Sequence, residues 1–319
     1  AFSALYGEKG LKRLWKEGRV YRNVEYSFTQ PDRASAIAAI YTGTTPSVNG
    51  IIANNWLDIS SLRPVNCVDD ASFMGNYTNE STSPSKLLTS TITDELKIAT
   101  QGKGLVYAIS PFREAAVLAA GHAANGAFWL NDDTGKWAGT TYYSDAEWVQ
   151  DTFKYKFDDA RKNKYRRFIV SPFVNDEVNS LTSELFANST IGKDETPDIL
   201  SLTYYAGNYD HKSPRECALE MQDTYVRLDK SIAALLDLLD QKVGLHNVML
   251  FITSTGYTDP ETADFGKYRI PGGEFHLNRC AALLNIYLMA TYGEGQYVEA
   301  YHNQQIYLNH KLIEKKQLN

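Results

Sequence analysis

The chain has 319 residues, 43% of them hydrophobic and 22% charged, with a formal net charge of −6. That is apolar mass enough for one large α/β domain or two small ones, and the acidic balance excludes nucleic acid as an expected partner, because a duplex-binding surface needs a basic excess. No apolar run reaches ~18 residues, so no segment reads as a transmembrane span, and the three cysteines, Cys67, Cys217 and Cys280, have no Cys/His spacing suited to zinc.

Leu5 to Gly18 has helical spacing, with Leu11, Leu14 and Trp15 on one face and Gly18 as a stop. Val20 to Phe28 alternates and predicts a strand, Ala34 to Tyr41 a small-residue helix, and Gly43 to Pro46 a turn. A helix is predicted over Ser85–Ala99, a strand over Leu105–Ser110, a helix over Phe112–Ala120 and a strand over Gly126–Asn131, closed by a hairpin-type turn at Asn131–Gly135. Arg161 to Arg167 is basic and reads as a solvated face before a strand at Arg167–Ser171. Glu177–Asn188 predicts a helix, Pro197–Tyr204 a buried strand, and Arg215–Val243 a long helix ended by Gly244. Val248–Thr253 is a continuous apolar strand pattern of the parallel-sheet kind, and Ala281–Tyr292, interrupted by Asn285, a buried helix. This alternation predicts an α/β fold, a central, mostly parallel sheet with helices on both faces. Without an initiator Met or a signal peptide, the expectation is a processed or truncated start.

In such sheets ligands bind beyond the carboxyl ends of the strands. That directs attention to Tyr204–His211, Ser254–Asp259, Ser110–Arg113 and the loop before Ala34. Asp210 and His211 follow a buried strand and are candidate metal ligands, but one Asp and one His do not complete a catalytic zinc set; the other reading of Asp210 is a cap for the next helix. His122 sits in a small-residue bend, where it either orients a ligand or pairs with backbone carbonyls. The acidic pairs Asp69-Asp70 and Asp132-Asp133 lie beside turns and read as solvated. There is no Gly-x-Ser-x-Gly elbow, P-loop or dinucleotide fingerprint. The residues alone give an α/β domain with a loop-built cleft and no complete catalytic set.

Several collinear segments resemble the alkaline phosphatase superfamily, in particular the bacterial phosphate-irrepressible phosphatases and type I phosphodiesterase/nucleotide pyrophosphatase-like proteins common in Bacteroidetes. The matching pieces include IYTGTTPSVNGI (40–51) with Asn54-Asn55-Trp56, SPSKLLTSTITDELK (83–97), GHAANGAFW (121–129), TPDILSLTYYAGNYDH (196–211) and GEFHLNRCAALLNIYLMATYGEGQ (273–296). The resemblance covers nearly the whole chain. It implies a three-layer sandwich, a single domain over residues 1–319 lacking its first strand and C-terminal portion, and a periplasmic or envelope location. It also implies two zinc ions on Asp and His ligands and a Thr or Ser nucleophile, whose chemistry rests on paired cations lowering the nucleophile's pKa and clamping the attacking and leaving oxygens.

Position by position, the family's reactive residues are largely replaced. The nucleophile position holds Arg33 and the motif's His is Ile37; Ser35 is the nearby hydroxyl, two residues displaced. Val-His-Gly reads Val48-Asn49-Gly50. The Asp-Tyr-x-Gly-His ligand pair reads Gly207 to His211, so only His211 could persist, and Ala-Asp-His-Gly reads Ser254-Thr255-Gly256-Tyr257. The Lys-x-Arg element is Phe112-Arg113-Glu114, whereas Asn54 is kept. The leading expectation is a non-catalytic pseudophosphatase with no cofactor, acting as a binding or scaffold protein. Its vestigial cleft, with Arg33, Asn54, Arg113 and His122 as binding candidates, would hold a protein partner or an anionic small ligand. The alternative is an active zinc-dependent phosphatase or phosphodiesterase with a relocated site, using Ser35 or Thr29 with Asp32, Asp210 and His211. A third reading is a structural fragment of a larger assembly.

Overall fold

The structure, a computed structural model, describes residues 2–29, 31–143, 147–149, 163–207, 217–256, 269, 276–302 and 305–318. In chain order the elements are α1 (Leu11–Glu17), α2 (Arg33–Thr42), α3 (Pro46–Asn49), β1 (Asn55–Leu57), β2 (Pro64–Asn66), β3 (Gly75–Asn76), α4 (Ile92–Ala99), β4 (Val106–Ser110), α5 (Arg113–Ala120), β5 (Gly126–Leu130), β6 (Trp137–Thr140), α6 (Lys164–Ile169), α7 (Val174–Asn188), β7 (Ile199–Leu202), α8 (Ala218–Lys242), α9 (Leu277–Tyr292), β8 (Val298–His302), β9 (Gln305–Leu308) and α10 (His310–Lys315). The chain divides into two compact units, residues 1–54 with 68–259, and residues 55–67 with 260–319.

The first unit is built on a five-stranded sheet of order β3-β6-β5-β4-β7. β4 lies parallel to both β5 and β7. β6 turns back antiparallel on β5, and β3 on β6. The sheet is therefore mixed, with a parallel heart, and the α/β class is as expected. The reversal occurs at the anticipated Asn131–Gly135 turn. There the Asn131 side-chain oxygen accepts from the N–H groups of Asp133 and Thr134 at 3.1 and 2.8 Å, the local bonding that makes Asn a turn residue.

Strand alternation assigns the two faces. Ile109, Phe128 and Leu130 belong to one buried cluster with Val178, Leu181 and Leu185 of α7 and Leu235 and Leu239 of α8. The intervening Val106, Ala108, Ala127 and Trp129 are buried too, and α5 packs against β4 and β5. α5 buries Ala115, Ala116, Ala119 and Ala120, and α2, packed on it, buries Ala34, Ala36 and Ala38. Small side chains on both helices let their backbones come close, which seats the start of α2 near the start of α5. Each fully buried Val or Leu of these layers stabilises the fold by ~1.5–3 kcal/mol.

Five expectations need correction. Val20–Phe28 forms no strand; Val20, Tyr21 and Val24 are exposed and irregular. Arg167–Ser171 is not a strand but overlaps α6: the adjacent residues Phe168 and Ile169 are both buried, which a strand's alternation would not allow on one face and a helix does. Val248–Thr253 is extended but pairs with no strand among the described residues, and its side chains are largely exposed. The helix over Ala281–Tyr292 forms, but Ala281 is its one buried residue. The segment expected as helix from Ser85 begins only at Ile92, behind a capping box in which Thr91 and Asp94 exchange side-chain and backbone hydrogen bonds.

The second unit contains two antiparallel pairs, β1 with β2 and β8 with β9. The Leu57 N–H donates to the Tyr307 hydroxyl at 3.1 Å. Asn285, the polar interruption in the apolar run, accepts from the N–H groups of Tyr297 and Val298 at 2.8 and 3.0 Å. Its amide therefore anchors the start of β8 to α9.

Candidate functional site

α2 begins at Asp32, whose carboxylate accepts from the Ser35 N–H at 2.9 Å and the Ser35 hydroxyl at 2.8 Å, while the Ser35 oxygen accepts from the Asp32 N–H at 3.0 Å. This is a capping box, the device that satisfies orphan N–H groups at a helix start. The second Asp32 oxygen accepts from the Asn54 N–H, and the Asn54 side-chain oxygen accepts from the Ala34 N–H at 2.8 Å. Asp32, Ser35 and Asn54 thus interlock around one helix terminus. Ser35 is buried, its hydroxyl bound to a capping carboxylate, and Asn54 spends its carbonyl on the helix rather than on a cleft.

Arg33 is the first residue of α2. Its Nε donates to Oε1 of Glu114 at 2.6 Å, and its Nη2 makes an ion-pair contact with the same oxygen at 2.5 Å. The guanidinium lies 3.6 Å from the centroid of the Phe112 ring. Glu114 sits in the first turn of α5, its side chain only 9% exposed, against 30% for Arg33. The positive end of that helix favours a carboxylate there. Arg113, beside it, turns to the 69–82 loop: Nη2 donates to Asp69 at 2.8 Å, Nη1 to the Thr82 hydroxyl at 3.2 Å, and Nε lies 3.5 Å from Glu80. Both arginines expected to line an anion cleft are therefore held by carboxylates of the chain itself.

His122 belongs to a separate cluster. Its Nδ1 is 2.9 Å from Asp94, and its Nε2 is 3.0 Å from the Leu87 carbonyl. Asp94 also accepts from the backbone N–H groups of Thr91, His122 and Ala123. Burial opposes the Asp94 charge, but the hydrogen bonds from His122, Thr91 and Ala123 outweigh it and hold the carboxyl at about 2. The Asp94 hydrogen bond in turn raises the His122 pKa, against the effect of burial. Both ring nitrogens of His122 are thus engaged, one by a carboxylate and one by a backbone carbonyl. The cluster borders an open depression of about 430 Å³ that includes Leu88 and Lys97.

The positions tied by resemblance to metal binding carry little donor chemistry. Ser254, Thr255 and Gly256 bring no carboxylate or imidazole. Asn49 is buried, giving its side chain to the Ile51 N–H and the Thr44 carbonyl, and Ile37 is buried. Among the described residues no three His, Cys, Asp or Glu side chains gather as metal ligands. These residues do not fit a two-zinc centre. Asp210 and His211 lie outside the described residues. Thr29, the other hydroxyl considered, is exposed in irregular backbone. Cys67 and Cys217 are buried and form no disulfide, and no helix among the described residues is long and apolar enough to cross a membrane.

Sequence reasoning missed the partnership of Glu114 with Arg33, 81 residues apart, for which no local signal exists. It also missed Asp94, which a signal could have found: Thr91-x-x-Asp94 is a capping-box pattern.

A family model described as type I phosphodiesterase / nucleotide pyrophosphatase matches residues 2–319. The chain is 31% identical to alkaline phosphatase PhoV of Synechococcus elongatus, over 85% of this chain and 56% of that protein. It is 26% identical to alkaline phosphatase PafA of Elizabethkingia meningoseptica, over 98% of this chain and 66% of that one. The crystal structure of wild-type PafA is similar with a TM-score of 0.86 at 25% identity, covering 100% of this chain and 70% of that one. The chain thus spans less than two thirds of the length of these two curated relatives.

Proposed function

The chain belongs to the type I phosphodiesterase / nucleotide pyrophosphatase family, and from that premise we propose that it is a catalytically degenerate member acting as a binding or scaffold protein. The observation that carries this reading is the Arg33–Glu114 pair. Where the resemblance places a nucleophilic hydroxyl, the first turn of α2 presents a guanidinium already bound to a buried carboxylate. Neighbouring Ser35 cannot substitute without dismantling the cap it forms with Asp32. Among the described residues no three carboxylate, imidazole or thiol donors gather, short of the ligand count that a catalytic zinc needs.

The relatives are named alkaline phosphatases, so an active phosphomonoester or phosphodiester hydrolase with its site relocated toward Asp210 and His211 is the competing outcome. Both are separated by measuring bound zinc and the turnover of p-nitrophenyl phosphate and bis-p-nitrophenyl phosphate. The proposal expects less than one zinc per chain and no turnover. About two zinc ions per chain with turnover would overturn it. An exported, envelope location, by resemblance, belongs to the same proposal and is checked by fractionating the source cells. The proposed ligand class is an anionic small molecule or an acidic protein segment, by virtue of Arg33.

A further inference from the structure

We propose that the Arg33–Glu114 pair is an oxyanion site held shut by its own carboxylate, with Glu114 serving as a resident stand-in for a phosphate-type ligand. This deepens the reading that the Arg33 position is not a nucleophile, and rests on it.

The geometry separates the pair from an ordinary structural salt bridge in three ways. It stands where α5 begins, three residues beyond the carboxyl end of the parallel strand β4, the region where α/β sheets receive ligands. Its hydrogen bond from Nε and its ion-pair contact from Nη2 converge on one oxygen, Oε1, instead of spanning both oxygens fork-to-fork, the arrangement that gives Arg–carboxylate pairs their added strength. The guanidinium is also held from below by Phe112, at 3.6 Å, a contact that does not depend on Glu114. Removal of the carboxylate charge therefore leaves Arg33 against Phe112, 30% exposed, with donors that an incoming oxyanion can win from the neutral side chain. Arg113 is committed to Asp69, Glu80 and Thr82, so Arg33 is the cation that a ligand would have to win from Glu114.

Glu114→Gln keeps the side-chain shape and removes the charge. At constant ionic strength, with inorganic phosphate as the probe, titration calorimetry and the phosphate-dependent rise in Tm should show binding in Glu114→Gln tighter than in the parent chain by about tenfold or more, the size of a charge-assisted hydrogen bond. The gain should vanish in the double variant Arg33→Ala/Glu114→Gln. Glu114→Ala is the second route to the same gain if the Gln variant folds poorly. Folded Glu114 variants that bind phosphate no better than the parent chain overturn the inference, as does a gain that survives loss of Arg33. Turnover of p-nitrophenyl phosphate by the parent chain would instead overturn the functional reading above, so the two failures are distinguishable.

Discussion

Asp94 and His122 show how a single pair sets a pH window. The Asp94 carboxyl titrates at about 2 in the fold against an ordinary 3.8. A depressed carboxyl contributes stability above its unfolded pKa and loses it as pH falls through the folded one; over that interval the effect is on the order of 2 kcal/mol. His122 is shifted the other way, above 6.5, so its contribution is complete below 6.5 and fades as pH rises through its folded pKa. The pair is at full strength between about pH 4 and pH 6. His122→Ala should lower urea stability at pH 5.5 by ~1–3 kcal/mol and flatten the fall in stability between pH 6 and 8; an unchanged slope over that range would show that another group sets it. Asp32 offers a second test at this scale. Its two oxygens accept from Ser35 and from the Asn54 N–H, so Asp32→Ala should cost ~1–2 kcal/mol and Asp32→Asn, whose amide nitrogen would face one of those donors, should lose part of that stability, both read as a shift in Tm. An Asp32→Asn variant as stable as the parent would show that the Asn54 contact contributes nothing.

Among the elements, α1 depends on a residue that belongs to another helix. Asp229, buried in α8, accepts from the N–H groups of Gly7 and Leu11, both at 2.8 Å, supplying the cap that Gly10 has no side chain to provide. A Cβ on Gly10 would stand 2.4 Å from both the backbone and side-chain oxygens of Asp229. Asp229→Ala should cost ~2–3 kcal/mol by orphaning two N–H groups, and Gly10→Ala should also destabilise. Combined, they should cost less than their sum, because each disrupts the same contact; strict additivity in urea denaturation would refute the coupling. Leu228, Ile232, Leu235 and Leu239 recur at helical spacing, and α8 is legible because that period is local. Asp229 is not legible, because its partners lie more than 200 residues away. The same division explains the strands. β4, β5 and β7 were recognisable from apolar runs that also found neighbours. Val20–Phe28 has the alternation but no pairing, and alternation alone does not make a ladder. At the candidate site the resemblance drew attention to Arg33 and to Phe112-Arg113-Glu114. It could not show which carboxylate each guanidinium takes, because that is decided by how α2 settles on α5.

For the molecule as a whole, the stretch at 248–253, which pairs with no strand among the described residues, matters for association. Its pattern is that of a buried strand, yet Met249 is 81% and Phe251 82% exposed. Its fixed points are local: Val248 packs against the first unit's core, and the Tyr26 hydroxyl donates to the Ser254 carbonyl at 2.7 Å. An extended apolar segment with unpaired N–H and C=O groups is a template for edge-to-edge association. The 319-residue chain should therefore self-associate with rising concentration in sedimentation velocity runs. The double variant Met249→Ser/Phe251→Ser should shift that association to at least several-fold higher concentration. Because both side chains face water, their replacement should leave Tm within about 1 °C, as surface changes of ~0.5 kcal/mol or less do. If the double variant associates at the same concentration as the parent, the exposed segment is not the contact. If its Tm drops sharply, the two side chains are packed in solution and the run at 248–253 is a covered strand after all.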